Sequence, residues 1–498
     1  MTDRNHTPLL DALIHHSDSN PVSYHVPGHR YGQALSDADR IEKQWYSTIM
    51  KIDVTELSAT DDLHHPEGPI AEAQHLAAQC FGAEETFFLV GGSTSGNIAL
   101  LLAVCEPDDI IIVQRNVHKS VINGLMLAGA KVAFIMPEID DRTGVATVPS
   151  LDTVVQAVHQ YPEAKAVFLT NPNYYGMSVD LELYVEKIHS HGLLLLVDEA
   201  HGAHYGLHPA LPQSAIQAGA DAVVQSTHKT LTAMTMGAML HIQGERMPRE
   251  SLRQALAAIQ SSSPSFPIMA SLDISRAMID RHGAEWFEAG LSAANKLRRW
   301  VYEESTVLQT IHSEDDSNAY DQMDALRVVL WNHTEVLTGF ELQKHMEERG
   351  CWIEMADARH VVLIIGIQTS ETDIDKLIAV CQEIELVILN SKRVIESKSL
   401  LLPTPTKLQK VSHETILLRR KANIEGILRV ALSEAVNETS AEMVIPYPPG
   451  IPIVYPGERL SAELVDRIRQ LSSLGARFQG AVDSTMQTIA VYQRESVL

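Results

Sequence analysis

The sequence predicts an α/β fold, in which helices cover both faces of a mostly parallel sheet of about seven strands. Two observations support it. Short apolar runs alternate with amphipathic stretches between residues 85 and 240, as in βαβ units that join parallel strands through helices. The chain also has 498 residues, 45% of them hydrophobic, which is enough for two or three domains.

The apolar runs predict strands at residues 86–90, 110–113, 132–135, 166–170, 193–197 and 222–224, with helices at 96–104 and 181–189. Ligands of such sheets bind where the strands end. We therefore expect functional residues directly after these strands.

After residue 285 the pattern changes to that of a smaller α+β domain. We expect helices at 284–303 and 371–383 and strands at 323–330 and 360–367. The predicted domain order is an N-terminal segment at 1–50, a large domain at 51–285, the small domain at 286–390 and a C-terminal segment at 391–498. Residues 391–406, with Pro403 and Pro405, read as a linker. The proline-rich segment 445–452 cannot form a regular helix or a central strand. It is either a rigid segment that covers part of the protein or part of the entrance to the functional site.

Charge and cysteine content narrow the functional classes. The net charge of −24 disfavours nucleic-acid binding, and it indicates either solubility or attraction of a cationic substrate. Neither a signal peptide nor a membrane span is predicted. The four cysteines are too far apart for a disulfide framework or a zinc site, so we expect no metal and a reducing, cytoplasmic location.

A glycine-rich turn follows the first predicted strand. Gly91 and Gly92 precede Ser93, Thr94 and Ser95 and a predicted helix. Glycines allow close approach to an anion, and the helix start and hydroxyl groups can donate to a phosphate. The turn lacks a Walker lysine and a full dinucleotide fingerprint, which disfavours a nucleotide. An ordinary turn that caps a helix is the alternative.

Two further strands end in residues whose side chains can bind or react with a cofactor. Asp198 closes an apolar strand, and a carboxylate buried there requires a cationic partner such as a protonated pyridine nitrogen. Lys229 follows Ser226 and His228 at the end of another strand, where its amine can form an imine with an aldehyde cofactor. The alternatives for Asp198 are that it caps a helix or binds magnesium, and the alternative for Lys229 is that it is a surface lysine.

His118 follows the strand at 110–113, and its ring could stack on a pyridine. A phosphate turn, a stacking histidine, a strand-end acid and a strand-end lysine together predict pyridoxal 5'-phosphate.

Seven segments of the sequence have the character of family motifs: 25–30, 61–70, 92–94, 197–202, 226–229, 262–265 and 440–450. Through them the sequence resembles the ornithine/lysine/arginine decarboxylase family of fold-type I pyridoxal-phosphate enzymes. Because the segment at 25–30 comes so early, the chain resembles the short form without an N-terminal wing domain.

The resemblance implies a role for each candidate. Lys229 would hold the cofactor as a Schiff base, Asp198 would pair with its ring nitrogen and His118 would stack on its ring. Ser93, Thr94, Ser95, Ser226 and His228 would surround the phosphate, and His201 is a further cofactor-binding candidate. Family members are dimers or larger with the active site at the interface, so the loops at 61–69 and 262–265 would serve a neighbouring subunit.

We therefore expect α-decarboxylation of a basic amino acid to a polyamine-type amine. The candidates for binding the distal amine or guanidinium group of the substrate are Asp62, Glu67 and Glu442. Arginine is favoured by family analogy, with lysine and ornithine open. An aminotransferase or β-eliminating enzyme is the alternative on the same fold, and Arg419 and Arg420 could then clamp a carboxylate. A non-catalytic regulatory protein that binds the cofactor is the alternative from another class.

Overall fold

The computed structural model describes residues 4–37, 39–311, 317–391, 410–412, 415–417, 426–447 and 452–493. Two compact units make up the chain. The first combines Met1–Val104 with Leu194–Trp286, and the second combines Cys105–Leu193 with Phe287–Leu498. The predicted domain boundaries stay a prediction.

The helices, in chain order, are α1 Pro8–Asp18, α2 Arg40–Met50, α3 Pro69–Phe81, α4 Gly92–Val104, α5 Lys119–Ala128, α6 Leu151–Gln160, α7 Glu182–Ser190, α8 Thr227–Thr230, α9 Arg249–Ile259, α10 Phe266–His282, α11 Glu288–Glu303, α12 Gly339–Glu347, α13 Glu371–Leu389 and α14 Ala462–Ser473. The strands are β1 Glu85–Leu89, β2 Ile110–Gln114, β3 Lys131–Ile135, β4 Ala166–Thr170, β5 Met177–Ser178, β6 Leu194–Asp198, β7 Ala222–Gln225, β8 Ala238–Ile242, β9 Leu308–Thr310, β10 Gln322–Met323, β11 Arg327–Asn332, β12 Met355–Ala356, β13 Val361–Ile364, β14 Ile416–Leu417, β15 Ile427–Ala431, β16 Ile445–Tyr447, β17 Arg477–Gln479 and β18 Thr488–Tyr492. Among the described residues, no helix is long and apolar enough to cross a bilayer.

In the first unit, four strands lie in the order β1, β8, β7, β6. Strands β6 and β7 are parallel, whereas β8 is antiparallel to both β1 and β7. Every residue of β6, β7 and β8 is buried, which explains why these strands read as continuous apolar runs. Because β6 and β7 are parallel, their carboxyl ends lie at the same edge of the sheet.

In the second unit, β2 pairs in parallel with both β3 and β4, and β14 adds to β3 in the antiparallel direction. A separate antiparallel sheet has the order β12, β13, β11, β9, and its core includes apolar side chains from α11, α12 and α13. Farther along the chain, β15 pairs with β18 and β16 with β17, and α14 contributes to the core of this region.

The strands predicted between residues 85 and 225 lie within one residue of β1, β2, β3, β4, β6 and β7. The later predictions were wrong in detail. The strand predicted at 360–367 is the shorter β13, Val361–Ile364, and the helix predicted at 371–383 extends to Leu389. The helix predicted from residue 284 begins at Glu288, after a 3-10 turn at Gly283–Phe287. The strand predicted at 323–330 is divided into β10 and β11 by a turn at Asp324, whose Oδ1 accepts from the Leu326 N–H at 2.9 Å.

Three predictions fall partly or wholly outside the described residues. Pro403, Pro405 and the Arg419–Arg420 pair lie outside them, as do residues 448–451 of the proline-rich segment. Within that segment, Pro446 lies in β16, which pairs only with β17 among the described strands. This position agrees with the exclusion of proline from central strands.

Candidate active site

The amine of Lys229 lies next to an imidazole at the carboxyl end of β7. Lys229 belongs to α8, the short helical segment after β7, and its backbone N–H donates to the Ser226 carbonyl at 3.0 Å. Its Nζ atom lies 3.0 Å from Nε2 of His201, a residue that is only 4% exposed. The imidazole can exchange a proton with the amine, as a nucleophilic lysine requires.

The carboxylate of Asp198 is buried at the end of β6 and is held by two donors. Asp198 is 2% exposed. Its Oδ2 accepts from Nδ2 of Asn97 at 2.8 Å, and its Oδ1 accepts from the Ala200 N–H at 3.1 Å. A carboxylate at this depth requires such donors or a cation. Asn97 was not among the predicted site residues, although it is a polar residue at the start of an apolar helix.

The glycine-rich turn joins β1 to α4 as predicted. Gly92 has a φ of +70°, and its N–H donates to the Met236 carbonyl at 2.9 Å. The Ser95 hydroxyl donates to the Gly92 carbonyl at 2.8 Å, while Ser93 is half-buried and Thr94 is exposed. A Cβ at Gly96 would lie 2.7 Å from a methyl carbon of Leu89. Glycine at this position therefore lets α4 pack directly on the sheet.

Ser226 offers a buried hydroxyl next to Lys229. It is fully buried, and its Oγ has no hydrogen-bond partner among the described residues. Such a group is costly unless a ligand or a water molecule satisfies it. The Nδ1 of His228 lies 3.0 Å from the Gly237 carbonyl oxygen, so this ring is held against the loop before β8.

Glu199, which follows Asp198, is a second buried acid that the sequence analysis did not select. It is fully buried. Burial raises the pKa of Glu199 to about 8, even though Gln225, Ala215 and Ser214 donate to its carboxyl group. A neutral acid at this position avoids a second negative charge beside Asp198.

His118 lies in the second unit, directly before α5. Its side chain accepts from the Ser120 N–H as the N-cap of this helix, and its Nδ1 lies 2.8 Å from the Ser120 hydroxyl. The predicted stacking of His118 on a cofactor ring stays a prediction.

The three acids predicted to bind the distal cationic group of the substrate differ in their surroundings. Asp62 is half-buried, and its Oδ1 accepts from the His64 N–H at 2.8 Å. Glu67 is exposed, and its Oε1 lies 3.3 Å from Nε2 of His65. Their loop is built around the neighbouring Asp61, which accepts from the N–H groups of Asp62, Glu67, Gly68, Ile70 and Ala71.

The loop at 61–69 also contacts the residue that precedes the segment 262–265, because Nε2 of His64 lies 2.8 Å from the Ser261 carbonyl oxygen. Glu442 is 8% exposed, and its carboxylate accepts from the backbone N–H groups of Val482 and Ala490. These contacts favour a structural role for Glu442.

The groups in the first unit fit pyridoxal phosphate. A buried carboxylate suits a protonated ring nitrogen, and an amine suits an aldehyde. The unsatisfied Ser226 hydroxyl and the glycine turn at the start of α4 suit a phosphate. In the part of the chain that the structure describes, no three histidine, cysteine or acidic residues form a group suited to a metal ion.

Comparison with known proteins agrees with this chemistry. The family described as Orn/Lys/Arg decarboxylase, major domain, matches residues 7–328, and its C-terminal domain matches residues 411–490. An uncharacterized protein of Bacillus subtilis, YaaO, is 38% identical over 98% of this chain and 99% of its own. The arginine decarboxylase of the same organism is 33% identical over 99% of both chains.

A solved structure, the constitutive lysine decarboxylase of Escherichia coli, superposes with a TM-score of 0.80 at 19% identity. It covers 99% of this chain and 82% of the other, and it confirms the predicted fold. Fold and sequence together place the chain in the family of pyridoxal-phosphate-dependent ornithine/lysine/arginine decarboxylases.

Proposed function

We propose that this protein removes the α-carboxyl group of arginine and releases agmatine, the corresponding amine, and CO₂. The observation that carries the proposal is the convergence of Lys229, His201 and Asp198 at the ends of two parallel strands, in a chain of this family. Relatives named arginine decarboxylase reach 33% identity, and those named lysine decarboxylase reach 27%. This difference favours arginine over lysine.

Pyridoxal phosphate supplies an aldehyde that links to amines and a ring that accepts the electron pair left when CO₂ departs. Lys229 anchors it through its amine, and His201 takes up the amine proton and returns it. Lys229 or a nearby histidine then delivers the proton that replaces CO₂ at the α-carbon.

Asp198 keeps a proton on the ring nitrogen, which Asn97 assists by fixing one carboxylate oxygen. Ser93, Thr94, Ser95, Ser226 and His228 hold the phosphate, together with the start of α4. The family resemblance assigns His118 to stacking on the ring, and this role stays a prediction. Asp62 and Glu67 are the proposed readers of the guanidinium group, and Glu442 supports the C-terminal fold.

The substrate test compares arginine, lysine and ornithine with the purified protein and its cofactor. We expect CO₂ release and agmatine from arginine, with a kcat/KM at least about tenfold above those for lysine and ornithine, since the guanidinium is a planar fork of hydrogen-bond donors that an ammonium lacks. Equal or faster turnover of lysine would contradict the arginine assignment. Formation of a keto acid without CO₂ would identify an aminotransferase, and cofactor binding without any turnover would identify a regulatory protein.

The assembly and its location are part of the same proposal. We expect a homodimer or larger homo-oligomer with a shared active site, located in the cytoplasm. The described chain contains free cysteines at positions 80, 105, 351 and 381, as is usual in a reducing compartment. Sedimentation of the purified protein tests the assembly, and a monomer with full activity would contradict it.

A further inference from the structure

Directly next to the candidate site, two buried side chains join the ends of β6 and β7. Glu199 follows Asp198, and Gln225 precedes Ser226. Nε2 of Gln225 donates to Oε2 of Glu199 at 2.6 Å, and the Ala215 N–H donates to the other carboxyl oxygen at 2.7 Å. The neighbours of two proposed cofactor-binding residues are thus bonded to each other.

The hydrogen bonds continue across the sheet to β8 and β1. Oε1 of Gln225 lies 3.1 Å from Nε2 of His241, and Nδ1 of His241 lies 2.8 Å from the Thr86 hydroxyl. Burial lowers the pKa of His241 to about 3, so the ring is neutral and carries one N–H. Because Gln225 donates to Glu199, its oxygen accepts from His241, and Thr86 donates to His241. Each bond therefore has one donor and one acceptor.

These four residues form what we call the strand-bridging network: Thr86, His241, Gln225 and Glu199. All four are at most 2% exposed. Thr86 is paired with His241 in the register of β1 and β8, and Asp198 is paired with Val224 in that of β6 and β7. Because side chains alternate along a strand, the network lies on the face opposite to Asp198 and Val224. Val224 faces Gly96 of α4.

The network restricts how the strand ends can move. If β6 shifted relative to β7, buried donors and acceptors would lose their partners, and each loss is costly where water has no access. Backbone pairing alone allows such small shifts more easily. The position of Asp198 relative to Ser226 and Lys229 is thus tied to side chains on the other face of the sheet.

We propose that the strand-bridging network positions Asp198 and Lys229 for the reaction, an inference that rests on the proposed function. Glu199 and Gln225 are positioning residues in this role, because they act through the residues next to them in the chain. Their contribution appears in cofactor affinity and in the orientation of the bound cofactor.

The test is a reciprocal exchange of the two central residues. Gln225→Glu places a second carboxyl group against Glu199 and removes the amide donor. We expect the cofactor dissociation constant to rise about tenfold, since one unsatisfied buried group changes an equilibrium by roughly 5- to 150-fold. The visible absorbance and circular dichroism of the bound cofactor should change as well.

The double variant E199Q/Q225E restores every bond. The new amide at position 199 donates to the new carboxylate at position 225, which still accepts from His241. The amide oxygen at position 199 still accepts from Ala215. We expect its cofactor dissociation constant to lie within about threefold of wild type, below the factor for one lost buried hydrogen bond. Its kcat and spectrum should also recover.

Gln74→Glu is the matched control. Gln74 is 8% exposed in the same unit, and its Oε1 accepts from the Phe88 N–H at 2.8 Å outside the network. This variant also introduces a buried carboxyl group. We expect a lower Tm but a cofactor dissociation constant within about threefold of wild type, because no residue of the strand-bridging network changes.

The outcomes separate the inference from the proposed function. If Q225E loses stability but keeps wild-type cofactor affinity and spectrum, the network is only structural and the inference is wrong. If Q225E does not fold, the double variant decides, since failure to recover affinity and spectrum overturns the inference. If wild-type protein itself does not bind pyridoxal phosphate, the proposed function fails first.

Discussion

Replacement of Gly96 by alanine tests how closely α4 must pack on the sheet. A Cβ at this position would lie 2.7 Å from Cδ1 of Leu89 and 2.9 Å from Cγ1 of Val224, closer than the usual carbon–carbon separation of about 3.5–4.0 Å. The Leu89 methyl group can rotate away, but the branched Val224 side chain has little freedom. Overpacking of this kind costs about 1–3 kcal/mol, and the better helix propensity of alanine offsets about 1 kcal/mol.

We therefore expect G96A to lose about 1 kcal/mol of unfolding free energy, which lowers the Tm by about 2–4 °C in domains of this size. The assay is thermal unfolding of cofactor-free protein, followed by a cofactor titration. Affinity should fall too, because α4 begins at the glycine turn. Gly366→Ala is the control, since its Cβ would meet Thr369 Oγ1 at an ordinary 3.4 Å. An unchanged or higher Tm for G96A would contradict the close packing of α4 on the sheet.

Three further predictions concern the polar groups of the site. Asn97→Leu removes a donor to the Asp198 carboxylate, so the unfolding free energy from denaturant titration should fall by about 1.5–3 kcal/mol, and equal stability would contradict this. His201→Phe removes the imidazole beside Lys229, and steady-state kinetics should show kcat reduced about 100-fold with a smaller change in KM; an unchanged kcat would argue against proton exchange there. The pKa of Glu199 is raised from 4.5 to about 8, so its contribution to stability is fully present below pH 4.5 and is lost as the pH rises through about 8. Urea titrations between pH 5 and 9 should show a flatter pH dependence for Glu199→Gln, and parallel profiles would contradict the shift.

Much of the fold could be predicted because β4, β6 and β7 are buried along their whole length. Strands β4 and β6 also follow the amphipathic helices α6 and α7. Apolar runs of this kind are visible in a single sequence. Strand β8 was not predicted. It is equally apolar, but it is antiparallel to both of its neighbours, so it does not belong to the βαβ pattern used to select the other strands.

The residues of the candidate site also fall into two groups, those that the sequence could predict and those that it could not. Asp198 and Lys229 could be selected because each is a polar residue at the end of an apolar run. Asn97 and Glu199 could not, because their roles depend on partners 101 and 26 residues away, Asp198 and Gln225. Such pairings follow from the register of the strands and the packing of α4, which periodicity does not define.

The central claim is that Lys229 anchors the cofactor and serves the decarboxylation. Its most direct test is a parallel measurement of visible cofactor absorbance and CO₂ release for wild type and Lys229→Ala, with unfolding of the cofactor-free proteins as the control for folding. We expect the variant to fold with a wild-type Tm, to lose the absorbance band of the anchored cofactor and to release no CO₂ from arginine. A variant that keeps both the band and full CO₂ release would contradict the central claim.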